Sequence, residues 1–298
     1  MKHAILGVGA IGGLMGTALA SLGEDVTLIL RPAKLPGYPE TLVLERPSSG
    51  ALSGKAKAVD KLAAPVDVLW VATKTYQLEA ALSAVEAAPK LIVPLLNGVD
   101  HVAVLRQRFA AERVVPATIS VEAVQLGPGR FAHRSPIRLG VAAAGEPALG
   151  DIVRQLEGLG FFCRFIANEQ SLLWGKLCFL EPFALVTSAS GKDKGEIFAD
   201  PAWKAKLDSA IAEACQVAQA SEAEVDMANI QAIFETAPGT MRSSMAKDVA
   251  AGRQLELDGI AGPILRGSEH YHIAVPVTRE LVAGIRALVA THSGASQS

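Results

Sequence analysis

One lysine lies within a segment that is otherwise suited to a protein core. The segment runs from Ser171 to Ser190 and reads SLLWGKLCFLEPFALVTSAS, which includes Lys176. A helix that is apolar on all sides is buried, and a buried ammonium group is costly unless it is paired or used. Burial also lowers the pKa of a lysine towards the range useful for proton transfer. Lys176 is therefore a candidate for acid-base chemistry, and the alternative is a lysine that extends to solvent.

A glycine-rich turn near the N-terminus has the spacing of a dinucleotide-binding site. Residues 2–6 predict a buried strand, a helical pattern then runs to Gly23, and residues 25–30 predict a second strand. Between the first strand and the helix stands the motif Gly7, Val8, Gly9, Ala10, Ile11 and Gly12. Strand, glycine turn, helix and strand at this length form one dinucleotide-binding unit. A purely structural glycine turn is the alternative.

Each glycine of the motif has a physical role in such a unit. Gly7 permits the tight turn, Gly9 lets the backbone approach a pyrophosphate, and Gly12 lets the helix lie close to the strand. The phosphates then meet unpaired N–H groups and the positive end of the helix dipole. A glycine pattern that leads straight into a strand also argues against a secretory signal.

The residue after the second strand indicates which dinucleotide binds. Enzymes that use NAD commonly place Asp or Glu there, on the ribose 2′-hydroxyl. This chain has Arg31 instead, with Lys34 close by in sequence. An arginine can pair bidentately with a 2′-phosphate, so the predicted cofactor is NADPH. A solvated surface charge is the alternative for Arg31.

Strand and helix patterns continue to alternate, which is typical of a parallel sheet. The predicted strands cover residues 67–73 and 91–96, and the predicted helices cover residues 76–87 and 101–109. Lys74 follows one strand and Asn97 follows the other. Ligands bind beyond the carboxyl ends of such strands, so we expect both residues at the nicotinamide end of the cofactor site. Ordinary loop residues are the alternative.

The pattern changes twice in the rest of the chain. Short strands are predicted from 114 to 142, followed by a helix and a strand, whereas strand signals nearly vanish beyond residue 168. The predicted fold is an α/β N-terminal Rossmann-like domain with a mostly parallel sheet, residues 1–167, and a mainly α-helical C-terminal domain, residues 168–298. Pro182 is expected to kink its helix, because proline cannot donate a backbone hydrogen bond.

Composition narrows the classes of partner. The 298 residues are 50% hydrophobic and 19% charged with a net charge of -2, and no basic block could neutralise a nucleic-acid backbone. No uninterrupted apolar run reaches the ~18 residues of a membrane helix. The cysteines Cys163, Cys178 and Cys215 are odd in number and widely spaced, as expected of free thiols in a reducing cytoplasm. A lone His-x-His pair, His270 and His272, does not predict a metal site.

Several motifs together resemble the ketopantoate reductase (2-dehydropantoate 2-reductase) family. They are MKHAILGVGAIGG at the start, Arg31, Lys74, NGV at Asn97, WGKL around Lys176, RSSMAKDV at 242–249, Glu256 and HIAVPVT near the end. The glycine motif alone is unspecific, but W-x-K-L followed by R-S-S-M and then Glu is specific. The resemblance covers nearly the whole chain and implies reduction of a 2-oxo acid with NADPH, with pantothenate biosynthesis as one candidate pathway.

The resemblance also implies roles for individual residues. Lys176 matches the general acid, Ser244 matches a substrate-binding serine, and Asn97 and Glu256 match residues at the junction of cofactor and substrate. Ala123 is expected beside the cofactor through its backbone. The chemistry agrees, since hydride addition to a ketone leaves alkoxide charge that an ammonium can stabilise and protonate. We therefore predict Lys176 and Glu256 as catalytic.

The chain departs from the family pattern beside the lysine. One and two helical turns after it the family commonly has asparagines that hold the substrate, and here these positions are Leu180 and Ala184. We expect an apolar or aromatic substrate tail to pack on Leu180, Phe183 and Ala184, with ketopantoate a poor substrate. Glu181 is an alternative polar contact, although it points about 140° away from Lys176 on a straight helix.

Three functions remain as hypotheses. The first is an NADPH-dependent reductase of a small 2-oxo acid or related carbonyl compound, with ketopantoate one candidate. The second is an NADP-binding sensor or interaction protein that lost catalysis, which the two missing asparagines keep open. The third is an opine or imine reductase. No nucleic-acid or membrane partner is expected, a homodimer is one candidate assembly, and the predicted location is cytoplasmic.

Overall fold

The chain folds into two compact units in a computed structural model. The structure describes residues 1–47 and 49–295, with the backbone alone for 292–295. One unit comprises Met1–Asn97 and His101–Leu172, and the other comprises Gly98–Asp100 and the chain from Leu173 onward. The domain boundary that the sequence predicts between residues 167 and 168 stays a prediction.

Within the described residues, every strand ends before residue 169. In chain order they are β1 (Lys2–Leu6), β2 (Asp25–Ile29), β3 (Thr41–Glu45), β4 (Leu52–Lys55), β5 (Lys57–Val59), β6 (Val68–Val71), β7 (Leu91–Pro94), β8 (Ala117–Ser120), β9 (Ala123–Gly127), β10 (Arg130–His133), β11 (Arg138–Ala142) and β12 (Phe162–Ile166).

The helices dominate the second half of the chain. They are α1 (Ala10–Ser21), α2 (Leu78–Leu82), α3 (His101–Arg108), α4 (Glu146–Gly158), α5 (Glu169–Ser190), α6 (Lys194–Ala199), α7 (Pro201–Ala220), α8 (Met227–Thr236), α9 (Ser244–Ala250), α10 (Leu257–His270) and α11 (Pro276–Ala295). The predicted combination of a Rossmann-like unit and a mainly helical unit is confirmed.

The central sheet of the first unit is parallel throughout, with strand order β5-β2-β1-β6-β7. Strand β1 pairs on both sides, with Ala4 opposite Thr27 of β2 and Leu69 of β6. Strand β6 is buried along its whole length, as expected for a parallel strand covered on both faces. The carboxyl ends of these strands share one edge of the sheet, which is the expected side for the cofactor.

Helix α1 is packed between two sheets. It contacts β1 and β2 of the central sheet and all four strands of a second sheet, ordered β4-β3-β10-β9. A Cβ atom at Gly13 would lie 2.0 Å from the Phe131 ring, so this close packing requires glycine. A third sheet, ordered β12-β11-β8, completes the unit.

Two predictions for this unit need correction. Strands β3, β4 and β5 were not expected, although β3 alternates buried and partly exposed residues in the period of a strand. The helix predicted for residues 76–87 ends at Leu82 after a 3₁₀ turn at 75–77. The chain leaves the helix because the backbone of 84–87 bonds to Leu62, whose N–H donates to the Ala84 carbonyl.

The core of the second unit is built from buried faces of α5, α7, α10 and α11. Helix α5 is continuous through Pro182. Among the described residues it is the one helix long and apolar enough to cross a membrane by length and composition, and 72% of the relevant window is buried inside the structure. A buried core helix meets the same weak criterion.

Candidate functional site

The glycine turn after β1 is packed too closely to admit a side chain at two of its positions. Gly7 has φ +94°, and a Cβ atom there would lie 2.6 Å from the Thr73 nitrogen. A Cβ atom at Gly12 would lie 2.2 Å from the Gly7 carbonyl oxygen. Both positions therefore exclude every other residue type sterically.

Gly9 differs from its two neighbours because space is open in front of it. An added Cβ atom would meet nothing within 4 Å. Gly9 is the N-cap of α1, and no side chain in the described part of the chain caps this helix end. The first N–H groups of a helix lack intrahelical partners, so this end presents unpaired donors and the positive end of the helix dipole. Val8, Ala10 and Ile11 lie along the same turn and are each partly exposed.

Three predicted cofactor residues follow strands of the central sheet. Arg31 follows β2 and is exposed, and it makes no ion pair with any residue in the described ranges. Lys74 follows β6 and Asn97 follows β7, and both are half-buried. Because neighbouring parallel strands end at one edge, the fold brings these positions to the same edge as the glycine turn.

Ala123 lies in another sheet of the same unit. It begins β9 and pairs with His133 of β10. Strand β9 contacts α1, the helix that the glycine turn opens. The predicted contact of its backbone with the cofactor stays a prediction.

Lys176 and Glu256 interact in the second unit. Burial lowers the pKa of the Lys176 ammonium to about 8, and the nearby Glu256 carboxylate opposes this shift. Lys176 is half-buried on α5 between the buried Trp174 and Leu177, whereas Glu256 is only 5% exposed at the start of α10. An ammonium that loses its proton near pH 8 is a stronger acid than an ordinary lysine.

The predicted substrate residues on α5 differ in exposure. Leu180 is half-buried, whereas Ala184 is fully buried and Phe183 is 3% exposed. The Phe183 ring packs against Phe234 with ring centroids 5.5 Å apart. Leu180 therefore keeps surface for a ligand, whereas Ala184 stays a predicted substrate position without exposed surface in this structure.

Ser244 is exposed at the first position of α9. Its neighbour Ser243 is the N-cap and accepts a hydrogen bond from the Ala246 N–H at 3.0 Å. The Ser244 hydroxyl makes no hydrogen bond to another residue within the described part of the chain, which leaves it available to a ligand.

Comparison with known proteins assigns the chain to a family. The family model "Ketopantoate reductase PanE/ApbA" matches residues 3–145, and the model of its C-terminal domain matches residues 168–289. The chain is 32% identical to a 2-dehydropantoate 2-reductase of Caulobacter vibrioides over 298 residues, covering 95% of this chain and 98% of that one. The chain belongs to the ketopantoate reductase family. The predicted resemblance is thus confirmed.

Solved structures share this fold over nearly their full length. A PanE/ApbA family ketopantoate reductase from Ralstonia eutropha has TM-score 0.86 and 26% identity, covering 98% of this chain and 100% of that one. A D-mandelate dehydrogenase solved with NADH and anilino(oxo)acetate also has TM-score 0.86, at 23% identity, covering 98% of this chain and 99% of that one. The fold of this chain matches these oxidoreductase structures over nearly the whole chain. The ketopantoate reductase family is a family of oxidoreductases.

Glu181, the alternative polar contact for the substrate, is buried in this member of the ketopantoate reductase family. The side chain is 0% exposed, and neither carboxylate oxygen has a hydrogen-bond partner in the described ranges. Burial raises the pKa of the Glu181 carboxyl well above its ordinary value, and the negative charge of Glu213 raises it further. The burial follows from its position, since Glu181 lies on the side of α5 that packs into the helical core.

Sequence reasoning also missed a hydroxyl pair next to a predicted residue. The Oγ1 atom of Thr187 on α5 lies 2.7 Å from the Oγ atom of Ser243. Both side chains are buried. The available signal was Ser243 itself, because serine before a helical pattern is typical of an N-cap.

Proposed function

We propose that this protein is a reductase that uses a nicotinamide dinucleotide, NADPH in preference to NADH, to reduce a 2-oxo acid or related carbonyl compound. The observation that carries the proposal is Lys176, a half-buried ammonium beside Glu256 with its pKa lowered to about 8. Membership of an oxidoreductase family supports the same reaction class.

The glycine turn fits the phosphates of a dinucleotide. The open space in front of Gly9 and the uncapped start of α1 leave room and N–H donors for a pyrophosphate. When bound, NADPH supplies the hydride. Arg31 would pair with its 2′-phosphate, since the exposed guanidinium has no acidic partner among the described residues.

Lys176 acts on the carbonyl oxygen in this proposal. Addition of hydride to the carbonyl carbon places negative charge on the oxygen, and the ammonium stabilises that charge and donates its proton. The product is the hydroxy acid, and Lys176 recovers a proton from solvent. Glu256 holds the ammonium in position by charge attraction, which also keeps it protonated at neutral pH.

The substrate is held by neutral hydrogen bonds and an apolar surface. Asn97 and Ser244 would bond the oxo-acid end of the substrate. Leu180 stands where the family commonly has an asparagine, and its exposed part would contact the remaining substrate atoms. A polar substrate group facing Leu180 would lose its hydrogen bond to water without gaining another, so we propose a substrate with an apolar tail.

The direct test is NADPH oxidation by the purified protein across a panel of 2-oxo acids. The panel contains ketopantoate and compounds with aliphatic and aromatic tails, and each is repeated with NADH. We expect turnover with at least one apolar 2-oxo acid and a preference for NADPH. Tight NADPH binding without turnover of any compound would instead support the sensor hypothesis.

A further inference from the structure

Ser243 and Thr187 form one end of a hydrogen-bonded chain inside the helical unit. The Ala246 N–H donates to the Ser243 oxygen at 3.0 Å, and the Thr187 oxygen lies 2.7 Å from the Phe183 carbonyl oxygen. Each hydroxyl has a single proton. All groups are satisfied when Thr187 donates to Phe183 and Ser243 donates to Thr187, whose oxygens lie 2.7 Å apart.

This chain of bonds ties the start of α9 to α5. Ser243 is 6% exposed and Thr187 is 0% exposed, so water cannot replace either partner without a rearrangement. Thr187 follows Lys176 by eleven residues, about three helical turns, and therefore lies on the same face of α5. The face that carries the proposed general acid also holds the N-cap of α9.

The segment before Ser243 is held independently by α6. The Lys194 N–H donates to the Met241 carbonyl at 3.0 Å, and the Gly195 N–H donates to the Gly239 carbonyl at 2.7 Å. The backbone on both sides of residue 242 is therefore fixed. Ser244, the next residue after the N-cap, has little freedom to move while these bonds persist.

We propose that Thr187 and Ser243 are positioning residues, which hold the Ser244 hydroxyl where it bonds the substrate. The inference rests on the proposed function and assigns to Thr187 a role that the reaction chemistry alone does not require. Neither residue touches the substrate. Loss of their mutual bond leaves the start of α9 held from the α6 side alone, so that the orientation of Ser244 is less tightly fixed.

The first experiment removes the bond with almost no change in side-chain shape. Thr187→Val should raise KM for the best 2-oxo acid about five- to tenfold, the worth of one lost hydrogen bond, with kcat changed less than about twofold. The dissociation constant of NADPH should stay the same. Thr187→Ser keeps the hydroxyl and should restore the low KM.

The second experiment separates positioning from general loss of stability. In a Ser244→Ala background, Thr187→Val should raise KM no further, because the group it positions is already gone. Ser243→Ala removes this bond together with the N-cap bond from the Ala246 N–H, and it serves if Thr187→Val does not fold, with Ser243→Thr as its conservative control. Thermal unfolding of each variant records stability separately from KM.

The outcomes distinguish this inference from the function on which it rests. A wild-type protein that reduces no 2-oxo acid contradicts both. An active wild-type protein in which Thr187→Val keeps the original KM, or raises KM equally with and without Ser244, contradicts the positioning role alone and leaves the proposed function intact.

Discussion

The glycine turn and the Lys176 helix are two different kinds of candidate site. At the turn, the geometry belongs to the backbone, since Gly7 needs a positive φ and Gly12 has no room for a Cβ atom. On α5, the chemistry belongs to side chains, and the acidity of Lys176 depends on burial and on Glu256 from another helix. A backbone site tolerates few changes, whereas a side-chain site can change specificity by single substitutions. The resemblance to the family predicts the same difference, because the turn matches the family pattern whereas Leu180 and Ala184 stand where asparagines are expected.

The largest expected effect comes from the side-chain site. Lys176→Ala should lower kcat by ~10² or more, the size expected for a lost general acid, and leave NADPH affinity nearly unchanged. Steady-state kinetics and NADPH titration measure the two quantities. Lys206→Ala, which removes a surface lysine paired with Glu280, is the matched control and should behave as wild type. Near-normal turnover of Lys176→Ala would mean that this lysine only extends to solvent.

A substitution at the predicted cofactor site should instead change the affinity for NADPH. Arg31→Ala should weaken NADPH binding by about 1.5 to 3 kcal/mol through the lost charge-assisted contact, and barely change NADH binding. Kd values by fluorescence titration provide the measurement, and Lys57→Ala, a surface change on β5, is the control. Equal affinity of the unmodified protein for the two cofactors would contradict the role of Arg31.

The substrate face should change specificity without changing cofactor binding. Leu180→Asn restores the amide that the family commonly has, so kcat/KM for ketopantoate should rise about 5- to 100-fold relative to an apolar 2-oxo acid, equivalent to about 1 to 3 kcal/mol for a recovered partner. Ala184→Asn is less suitable, because a buried amide would replace a fully buried methyl group. An unmodified protein that already reduces ketopantoate with kcat/KM of ~10⁴ M⁻¹s⁻¹ or above would contradict this account of Leu180.

The sequence predicts those features of the fold that have local causes, and it does not predict those that depend on tertiary contacts. The strand, turn, helix and strand from Lys2 to Ile29 were predictable because the glycine spacing and hydrophobic pattern are local. The shortened α2 was not, because bonds from Leu62 to the 84–87 backbone end it. The family resemblance indicated Lys176 and Glu256, whereas the Thr187–Ser243 bond required the packing of two distant segments.

The smallest expected effect is on protein stability and comes from replacing Glu181, the buried acid on α5. The Glu181 carboxyl has its pKa raised in the folded protein, near Glu213 and Cys178. Folding therefore favours the protonated form, and stability falls as pH rises from the unfolded value of about 4.5 through the folded pKa. Glu181→Gln should raise the free energy of unfolding near pH 7 on the order of 1 to 3 kcal/mol, with the gain vanishing below about pH 4.5.

Urea unfolding at several pH values measures this difference. Glu235→Gln on α8 provides the control, because Glu235 is exposed and makes no ion pair with any residue in the described stretches. A Glu181→Gln variant that is less stable than wild type at pH 7 would contradict a protonated, unpaired Glu181 in the folded protein.

The most direct test of the central claim is the pH dependence of single-turnover reduction of a 2-oxo acid by NADPH. The rate should be constant at neutral pH and fall about tenfold per pH unit above about 8, because Lys176 must be protonated to donate. In Lys176→Ala the slow residual rate should lose this dependence. A wild-type rate that is unchanged to pH 10, or a Lys176→Ala variant that keeps the same fall near pH 8, would contradict the assignment of Lys176 as the general acid.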